Sequence, residues 1–323
     1  MTSIGATGAI LTTPSVLDTS MIENLNTDQS ALATVEQQLS SGNAINQASD
    51  NPAGAANILQ LQGSLTRANQ YSANAANGVD WLTLGNSTVT SVSDVVQSVK
   101  SAVEGLTGSA LAGSAATITS TATTVADALS QLLNLANTTE GSGQPIFAGT
   151  GSSTGAYDSN GNYLGNATVP TRTVAPGSTV GVAVTGPDVF GTGATGLLGT
   201  GQGGSTTGVL QQIVNDLTTA ASASGAARTT AINQVTGTDL TNLTTALNNV
   251  ETAAGTLGAN QDSVESFASQ ATASATAIEG ELSSVQDVNI AAATTNLQLQ
   301  QDAYQSALYA TSQISADSLA KYL

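Results

Sequence analysis

The 323-residue chain contains no cysteine and no histidine, and only 3% of its residues are aromatic. Without cysteine, it can form no disulfide, thiolate metal site or cysteine nucleophile. Without histidine, it lacks the commonest metal ligand and the usual acid–base group, so Ser-His-Asp and Cys-His sites are excluded. Paired carboxylates could still support hydrolysis, but the Asp and Glu residues fall mostly on predicted helix surfaces. We therefore predict a protein that is not an enzyme and that binds no cofactor or metal.

Charged residues are scarce as well, at 8% of the chain against a usual share of about 25%. The five basic residues are scattered and the net charge is −17, so no basic patch can attract nucleic acid or an anionic membrane. A run of about 18 apolar residues is also missing, which predicts no membrane insertion. The first 20 residues contain neither Lys nor Arg, so we expect export without a cleaved signal peptide.

Apolar residues recur at every seventh position in both halves of the chain. The first column is Leu61, Ala68, Ala75, Leu82, Val89, Val96 and Val103. The second column is Leu243, Val250, Leu257, Val264, Ala271, Ile278 and Val285. Repeats of this length are typical of a coiled-coil seam. Because a long connection separates the two segments, we predict that they pair antiparallel as a rod.

Narrow apolar stripes continue towards both ends of the chain, on helices that are otherwise polar. Such helices are marginal in water, so each needs a partner helix from the same chain or from another copy. We predict that the stripes form an assembly surface, made of Ile22, Leu25, Leu32, Leu39, Ile290, Leu297, Tyr304 and Ile314.

The helical period disappears in the middle of the chain, where Gly, Thr and Pro gather. Two β-prone runs, Thr171–Ala175 and Thr179–Thr185, flank the turn signal Pro176-Gly177. The prediction is a mainly α protein, with long antiparallel coiled-coil rods and a small β-rich insertion. Its three parts are terminal assembly helices (1–45 and 286–323), a helical rod (46–140 and 205–285) and the insertion with a Gly/Thr linker (141–204).

Two short motifs imitate ligand sites. Residues 191–196 match the glycine pattern of a dinucleotide loop, but the Gly-rich sequence that follows predicts no helix to receive a phosphate. Asp158, Asn160 and Asn162 alternate as at the start of a calcium loop, but position twelve is Val169 instead of Glu. We interpret the first motif as a linker and the second as a turn.

Residues 39–54 read Leu-Ser-Ser-Gly-Asn-Ala-Ile-Asn-Gln-Ala-Ser-Asp-Asn-Pro-Ala-Gly. Gly42 can end one helix, Asp50 or Asn51 can cap the next, and Pro52 fits its first turn. The whole string closely resembles the N-terminal signature of bacterial flagellins and hook-associated proteins. The signature positions are Leu39, Gly42, Ile45, Asp50, Pro52 and Gly54.

Three further segments are similar to the hook-associated branch of that family, namely 134–149, 186–190 and 318–323. The resemblance implies an extracellular structural subunit of the flagellum that joins hook to filament and polymerises through its terminal helices. The partners it implies are further copies of the chain, a neighbouring hook-associated protein, flagellin and an export chaperone. Two alternatives stay open, which are a flagellin of the filament itself and a surface adhesin that uses the Thr-rich insertion.

Overall fold

The computed structural model of the protein describes residues 14–107, 114–151, 155–199 and 207–320, and these are mostly helical. Its elements follow in this order: α1 (Pro14–Ser41), α2 (Pro52–Glu104), α3 (Ala115–Ala136), β1 (Thr171–Ala175), β2 (Ser178–Gly181), α4 (Gly186–Phe190), α5 (Val209–Ser222), α6 (Gly225–Gln234), α7 (Leu240–Gln286) and α8 (Ile290–Ala320). The predicted fold class, mainly α with a small β insertion, is confirmed.

The described residues group into two compact units. Unit 1 contains the residues up to Thr66 and those from Ala275 onward, and unit 2 runs from Arg67 to Ser274. Both boundaries lie inside the long helices α2 and α7. The predicted three-part division instead placed its boundaries at the helix joints, and it stays a prediction about the assembled protein.

In unit 2, the heptad seams of α2 and α7 lie against each other. The first column is buried from Ala68 to Val103, and the second from Leu243 to Ala271. Asn86 Nδ2 donates a hydrogen bond of 2.7 Å to Gln261 Oε1. Nearer the start of α2, the hydroxyls of Ser72 and Thr272 lie 3.5 Å apart. Residue numbers therefore rise along one helix as they fall along the other, which confirms the predicted antiparallel pairing.

Three shorter helices complete the core of unit 2. Helix α3 packs against α5, and α5 packs against α6. The apolar face that α3 buries consists of Ile118, Ala122, Val125, Ala128, Leu132 and Ala136. Helices α3 and α5 each carry a clear apolar stripe that is buried in this core.

The second long helix begins earlier than its heptads suggest. Helix α6 continues through a π-helical turn, Val235–Asp239, directly into α7. The buried stripe along this segment runs Ile232, Val235, Asp239 and Leu243, and all four are at most 5% exposed. The sequence did not reveal α6, because polar residues and Gly237 interrupt its apolar pattern.

The many hydroxyl side chains bond along their own helices. Thr66, Thr90 and Thr256 each donate to the carbonyl four residues earlier, over 2.8, 2.9 and 3.0 Å. Such bonds satisfy the hydroxyl without a second helix. The chain therefore covers long helices with Ser and Thr where most proteins use charged residues.

The segment between α3 and α5 contains one regular β structure among its described residues. Strands β1 and β2 pair antiparallel around the predicted turn, where Gly177 has a φ of +73°. The hairpin is attached to α2 by Arg172, which donates to Asn77 Oδ1 over 2.8 Å and lies 5.7 Å from the ring centroid of Trp81. The insertion is thus a packed part of unit 2.

Four aromatic side chains form the core of the insertion. Phe147 and Phe190 meet edge to face with ring centroids 5.5 Å apart, and Tyr157 lies 5.3 Å from both Phe190 and Tyr163. Asn137, one residue beyond the end of α3, accepts hydrogen bonds from the amides of Ala156 and Tyr157. The segments 134–149 and 186–190, which resemble hook-associated proteins, therefore supply both Phe residues and this polar link.

The two tyrosines of this cluster differ in their hydroxyl groups. The hydroxyl of Tyr163 lies 2.9 Å from the carbonyl of Phe147 and 2.8 Å from that of Asn166. The buried hydroxyl of Tyr157 has no hydrogen-bond partner among the described residues. Burial raises the pKa of both phenols, so both stay protonated at neutral pH.

We expect Tyr163→Phe to destabilise unit 2 by about 1–2 kcal/mol, because it removes a satisfied buried hydrogen bond. We expect Tyr157→Phe to leave the free energy of unfolding unchanged or to raise it by up to about 1 kcal/mol, because it removes an unpaired polar group. Urea unfolding followed by the fluorescence of Trp81, the single tryptophan, measures both. A larger loss in Tyr157→Phe than in Tyr163→Phe would contradict the roles assigned to the two hydroxyls.

Candidate functional site

The family-like signature forms the joint between α1 and α2. Helix α1 ends at Ser41, and Gly42 follows with a φ of +75° while its amide donates to the carbonyl of Gln38. A left-handed residue of this kind after the last helical turn favours glycine. Helix α2 then starts at Pro52, and Asn51 Oδ1 accepts from the amide of Gly54 over 2.9 Å. Of the two predicted cap residues, Asn51 caps the helix.

Asp50 has a different role, since it organises the turn before the cap. Its Oδ2 atom accepts the amides of Asn46 and Gln47, both over 3.0 Å. Hydrogen bonds from the side chain and backbone of Gln47, and from the backbone of Asn46, lower the pKa of Asp50 below its usual value. The ionised carboxylate therefore holds the joint in its turn at neutral pH.

Two further signature residues, Ile45 and Gly54, lie close to each other. A Cβ atom on Gly54 would overlap the Cδ1 methyl of Ile45 and approach the side-chain amide of Asn51. Glycine is therefore the residue that lets Ile45 fold back against the first turn of α2. Packing therefore explains why Ile and Gly stand at positions 45 and 54 of the signature. Helix capping alone does not explain these two residues.

The joint between α1 and α2 is paired with the joint between α7 and α8. The amide of Ala44 donates to the carbonyl of Gln286 over 2.7 Å, and the amide of Val288 donates to the carbonyl of Gly42 over 2.9 Å. The side chain of Gln286 adds a bond of 3.2 Å to Asn43 Oδ1. The end of α1 and the start of α8 therefore meet at one place, and the two helices run antiparallel from there.

Helices α1 and α8 pack against each other along their length. Their half-buried residues alternate in steps of three and four, as in a coiled coil. On α1 the stripe contains Met21, Leu25, Asp28, Leu32, Val35 and Leu39, and the neighbouring Ala31 and Gln38 are half-buried as well. On α8 they are Leu297, Gln300, Tyr304, Ala307 and Thr311, together with the buried Ala293.

The structure thus divides the predicted assembly residues into two groups. Leu25, Leu32, Leu39, Leu297 and Tyr304 lie on the half-buried stripes of the α1–α8 pair. Ile22 and Ile290 are 57% and 66% exposed. The side chain of Ile314 lies outside the described residues, as does most of the C-terminal motif 318–323.

Sequence reasoning missed three large apolar side chains that α8 presents to solvent. Leu299, Leu308 and Tyr309 are 61%, 44% and 68% exposed. They lie outside the heptad columns on which the prediction was based. A large apolar residue that falls outside the stripe of an otherwise polar helix is the signal that could have identified them.

Unit 1 lacks a closed core. Among its residues whose side chains the structure describes, Ala275 and Ala293 are the buried apolar ones, whereas unit 2 buries leucines, isoleucines, valines and aromatics. Two paired helices cannot cover their own apolar stripes fully. The half-buried stripes and the exposed apolar residues of α8 therefore leave apolar area that further helices could cover.

The motifs that imitate ligand sites have structural roles. Gly191 ends α4, and Gly193–Thr195 forms a short 3-10 turn. Asp158 Oδ1 accepts the amides of Asn160 and Asn162, both over 2.8 Å, which makes a tight turn. Within the described ranges, no cluster of three or more acidic residues is arranged to hold a metal ion. None of the described helices is both long and apolar enough to cross a lipid bilayer.

Comparison with known proteins agrees with the architecture. Residues 15–152 match the bacterial flagellin N-terminal helical region, and residues 240–323 match the bacterial flagellin C-terminal helical region. The chain belongs to the bacterial flagellin family. Membership implies a structural protein that assembles into a flagellum together with other flagellar proteins.

Several proteins that this chain is similar to are hook-associated proteins. Flagellar hook-associated protein 3 of Escherichia coli K12 is 26% identical over 276 residues, which cover 83% of this chain and 86% of that protein. A solved Vibrio parahaemolyticus structure assigned to the flagellar hook-associated proteins superposes with a TM-score of 0.61 at 20% identity, over 74% of this chain and all of that one. Xanthomonas campestris FlgL superposes with a TM-score of 0.58 at 18% identity, over 69% and 99%.

We expect Asp50→Ala to speed amide exchange at Asn46 and Gln47 several-fold, because it removes the acceptor that holds both amides. In the wild type, the pKa of Asp50 in the folded state lies below its unfolded-state value of 3.8. The protection of the two amides is therefore present above pH 3.8 and is lost as pH falls through the lowered pKa. Hydrogen–deuterium exchange at pH 7 and in the acid range measures this. The matched control is Glu36→Ala, an exposed carboxylate on α1, and equal effects of the two substitutions would contradict the assigned role.

Proposed function

We propose that this flagellin-family chain is the subunit that joins the hook to the filament of a bacterial flagellum. The observation that carries the proposal is the similarity to hook-associated protein 3, which extends over most of both chains. The segments 134–149 and 186–190 support it, since both contribute to the aromatic core of the insertion. The solved structures from Vibrio parahaemolyticus and Xanthomonas campestris have a similar fold, which agrees with this proposal.

The assembly surface that we propose is the open apolar surface of unit 1. Its half-buried stripes contain Leu25, Leu32, Leu39, Leu297 and Tyr304, and its exposed residues are Ile22, Ile290, Leu299, Leu308 and Tyr309. Helices from neighbouring subunits would bury these side chains on assembly. Burial of apolar area on this scale offsets the entropy that is lost when the terminal helices become ordered.

The proposed partners follow from this position. Further copies of the chain would complete a ring. A neighbouring hook-associated protein would contact one side of this ring, and flagellin would contact the other side. Before assembly, an export chaperone would cover the same apolar residues. We propose that the protein acts outside the cell as a structural subunit, because the polar residues of its signature serve in capping and turns.

We expect the double substitution Leu299→Gln and Tyr309→Gln to abolish incorporation into flagella and to leave the monomer folded. Both side chains are largely exposed, so their replacement should change the free energy of unfolding by no more than about 0.5 kcal/mol. The measurement is the amount of the protein in sheared flagella from cells that lack the native copy, with the melting temperature of the purified monomer beside it.

Two matched variants complete this experiment. Gln301→Ala with Gln305→Ala changes exposed polar residues of the same helix and should leave incorporation intact. Leu297→Gln changes the half-buried stripe and should reduce both the α1–α8 pairing and incorporation. Normal incorporation of the Leu299 and Tyr309 double variant would show that this surface is not used in assembly.

The position in the flagellum is tested by immunogold electron microscopy with an antibody against the insertion, residues 155–199. We expect one cluster of label at the boundary between hook and filament. Label along the whole filament would overturn the junction proposal and make the chain a flagellin. Flagella without any label would contradict the flagellar role and favour an adhesin.

A further inference from the structure

An acidic side chain lies in the core of unit 2, where apolar residues otherwise form the buried stripe. Asp239 ends the π-helical turn between α6 and α7 and is only 2% exposed. Its Oδ2 atom is buried and has no hydrogen-bond partner among the described residues. A buried carboxylate with an unpaired oxygen is costly, so the position needs a physical explanation.

A second carboxyl group faces Asp239 across a helix contact. The π-helical turn packs against α5, which carries Asp216, and the carboxyl group of Asp216 lies near enough to act on that of Asp239. Two ionised carboxylates contain no donor, so a hydrogen bond between them requires a proton on one of the two. Amide groups complete the surroundings, since the side chain of Gln234 also acts on Asp239 and Gln212 donates to Asp216 Oδ2 over 3.1 Å.

The basic residues on the adjoining helices are engaged elsewhere. Arg228 of α6 donates to the carbonyls of Ala220 and Ala223, over 3.2 and 2.7 Å. Lys100 of α2 lies 3.9 Å from Glu104. The charged group that acts on Asp239 is therefore Asp216, which has the same sign.

We propose that Asp216 and Asp239 share one proton across the contact between α5 and the π-helical turn, and that this proton makes the packing of unit 2 sensitive to pH. Loss of the proton leaves two like charges facing each other, one of them buried. The contact of α5 with the α6–α7 helix then weakens. Uptake of the proton restores the hydrogen bond and tightens the contact.

The direction of the effect follows from the titration of Asp239. Burial, together with the hydrogen bond and the charge of Asp216, raises its pKa from 3.8 to about 6. The folded state therefore binds this proton more tightly than the unfolded state does, so the stabilisation is complete below about pH 4 and is lost as pH rises through 6. This carboxyl alone changes the unfolding equilibrium constant by about 100-fold between those limits.

The decisive variant is Asp239→Asn in the full-length chain. Asparagine has the shape of the protonated carboxyl and can donate to Asp216, so it mimics the low-pH state. Urea unfolding is followed by Trp81, which is buried in unit 2 and reports on that unit. At pH 8, we expect the unfolding equilibrium constant to be about 100-fold lower in Asp239→Asn than in wild type, and at pH 4 we expect the two to be equal.

Two further variants separate the pair from general charge effects. Asp262→Asn removes an exposed carboxylate from the same long helix and should keep the pH profile of the wild type. Asp216→Asn removes the facing charge and should flatten the profile, as Asp239→Asn does. The proposal is wrong if Asp239→Asn and Asp262→Asn have the same pH profile, or if Asp239→Asn destabilises equally at pH 4 and pH 8.

A direct titration and a cation test complete the design. The 13Cγ resonance that disappears in Asp239→Asn should titrate near pH 6, and a midpoint near 4 would overturn the proposal. Millimolar Ca²⁺ should not alter stability at pH 8. Stabilisation of the wild type by Ca²⁺ that Asp239→Asn abolishes would show that the pair holds a cation in place of a proton. These readouts concern the monomer, so they are independent of assembly into flagella.

Discussion

The antiparallel pairing of α2 and α7 is the contact on which the rest of unit 2 depends. It joins residues about 200 positions apart, as the hydroxyls of Ser72 and Thr272 show. Apolar side chains at every seventh position support this pairing, and α3, α5 and α6 fill what the two long helices leave open. The insertion depends on it too, because the β1–β2 hairpin packs on α2 through Arg172, Asn77 and Trp81.

The two units use similar helices in different ways. Unit 2 closes its core with large apolar side chains and tolerates one buried carboxyl group, that of Asp239, within it. Unit 1 pairs its helices and its joints, yet it leaves apolar stripes half covered and places Leu299 and Tyr309 in solvent. Unit 2 has a closed core, whereas unit 1 has none. This arrangement suits a subunit that is folded as a monomer and gains further contacts on assembly.

The hydrogen bonding of hydroxyl side chains is compatible with the low content of charged residues in this chain. Thr and Ser side chains bond to carbonyls of their own helices, so the long helices carry polar surfaces with few charged residues. The few carboxylates with defined partners accept hydrogen bonds at turns, as Asp50 and Asp158 do. We therefore expect titration to affect these turns and the buried carboxyl group of Asp239.

Elements with local or periodic causes, and the antiparallel pairing of the two long helices, could be predicted from the sequence, whereas the individual contacts between distant residues could not. Heptad columns located α2 and α7, Gly42 and Pro52 located the joint, and Pro176-Gly177 located the hairpin turn. The family signature was also readable, because its residues act within one short segment. The division of the chain by assembly role stays a prediction, since the contacts that define it belong to neighbouring subunits.

The folded chain settled which distant residues meet. It paired residues 42–44 with 286–288, placed Leu32 on a half-buried stripe and Tyr309 in solvent, and buried Asp239 where the π-helical turn packs against α5. Sequence spacing could not predict these contacts. An apolar stripe indicates that one face of a helix will be buried, but it does not indicate which partner buries it. The position of a side chain relative to that partner depends on helix register, and register is settled by the sum of contacts that the whole fold makes.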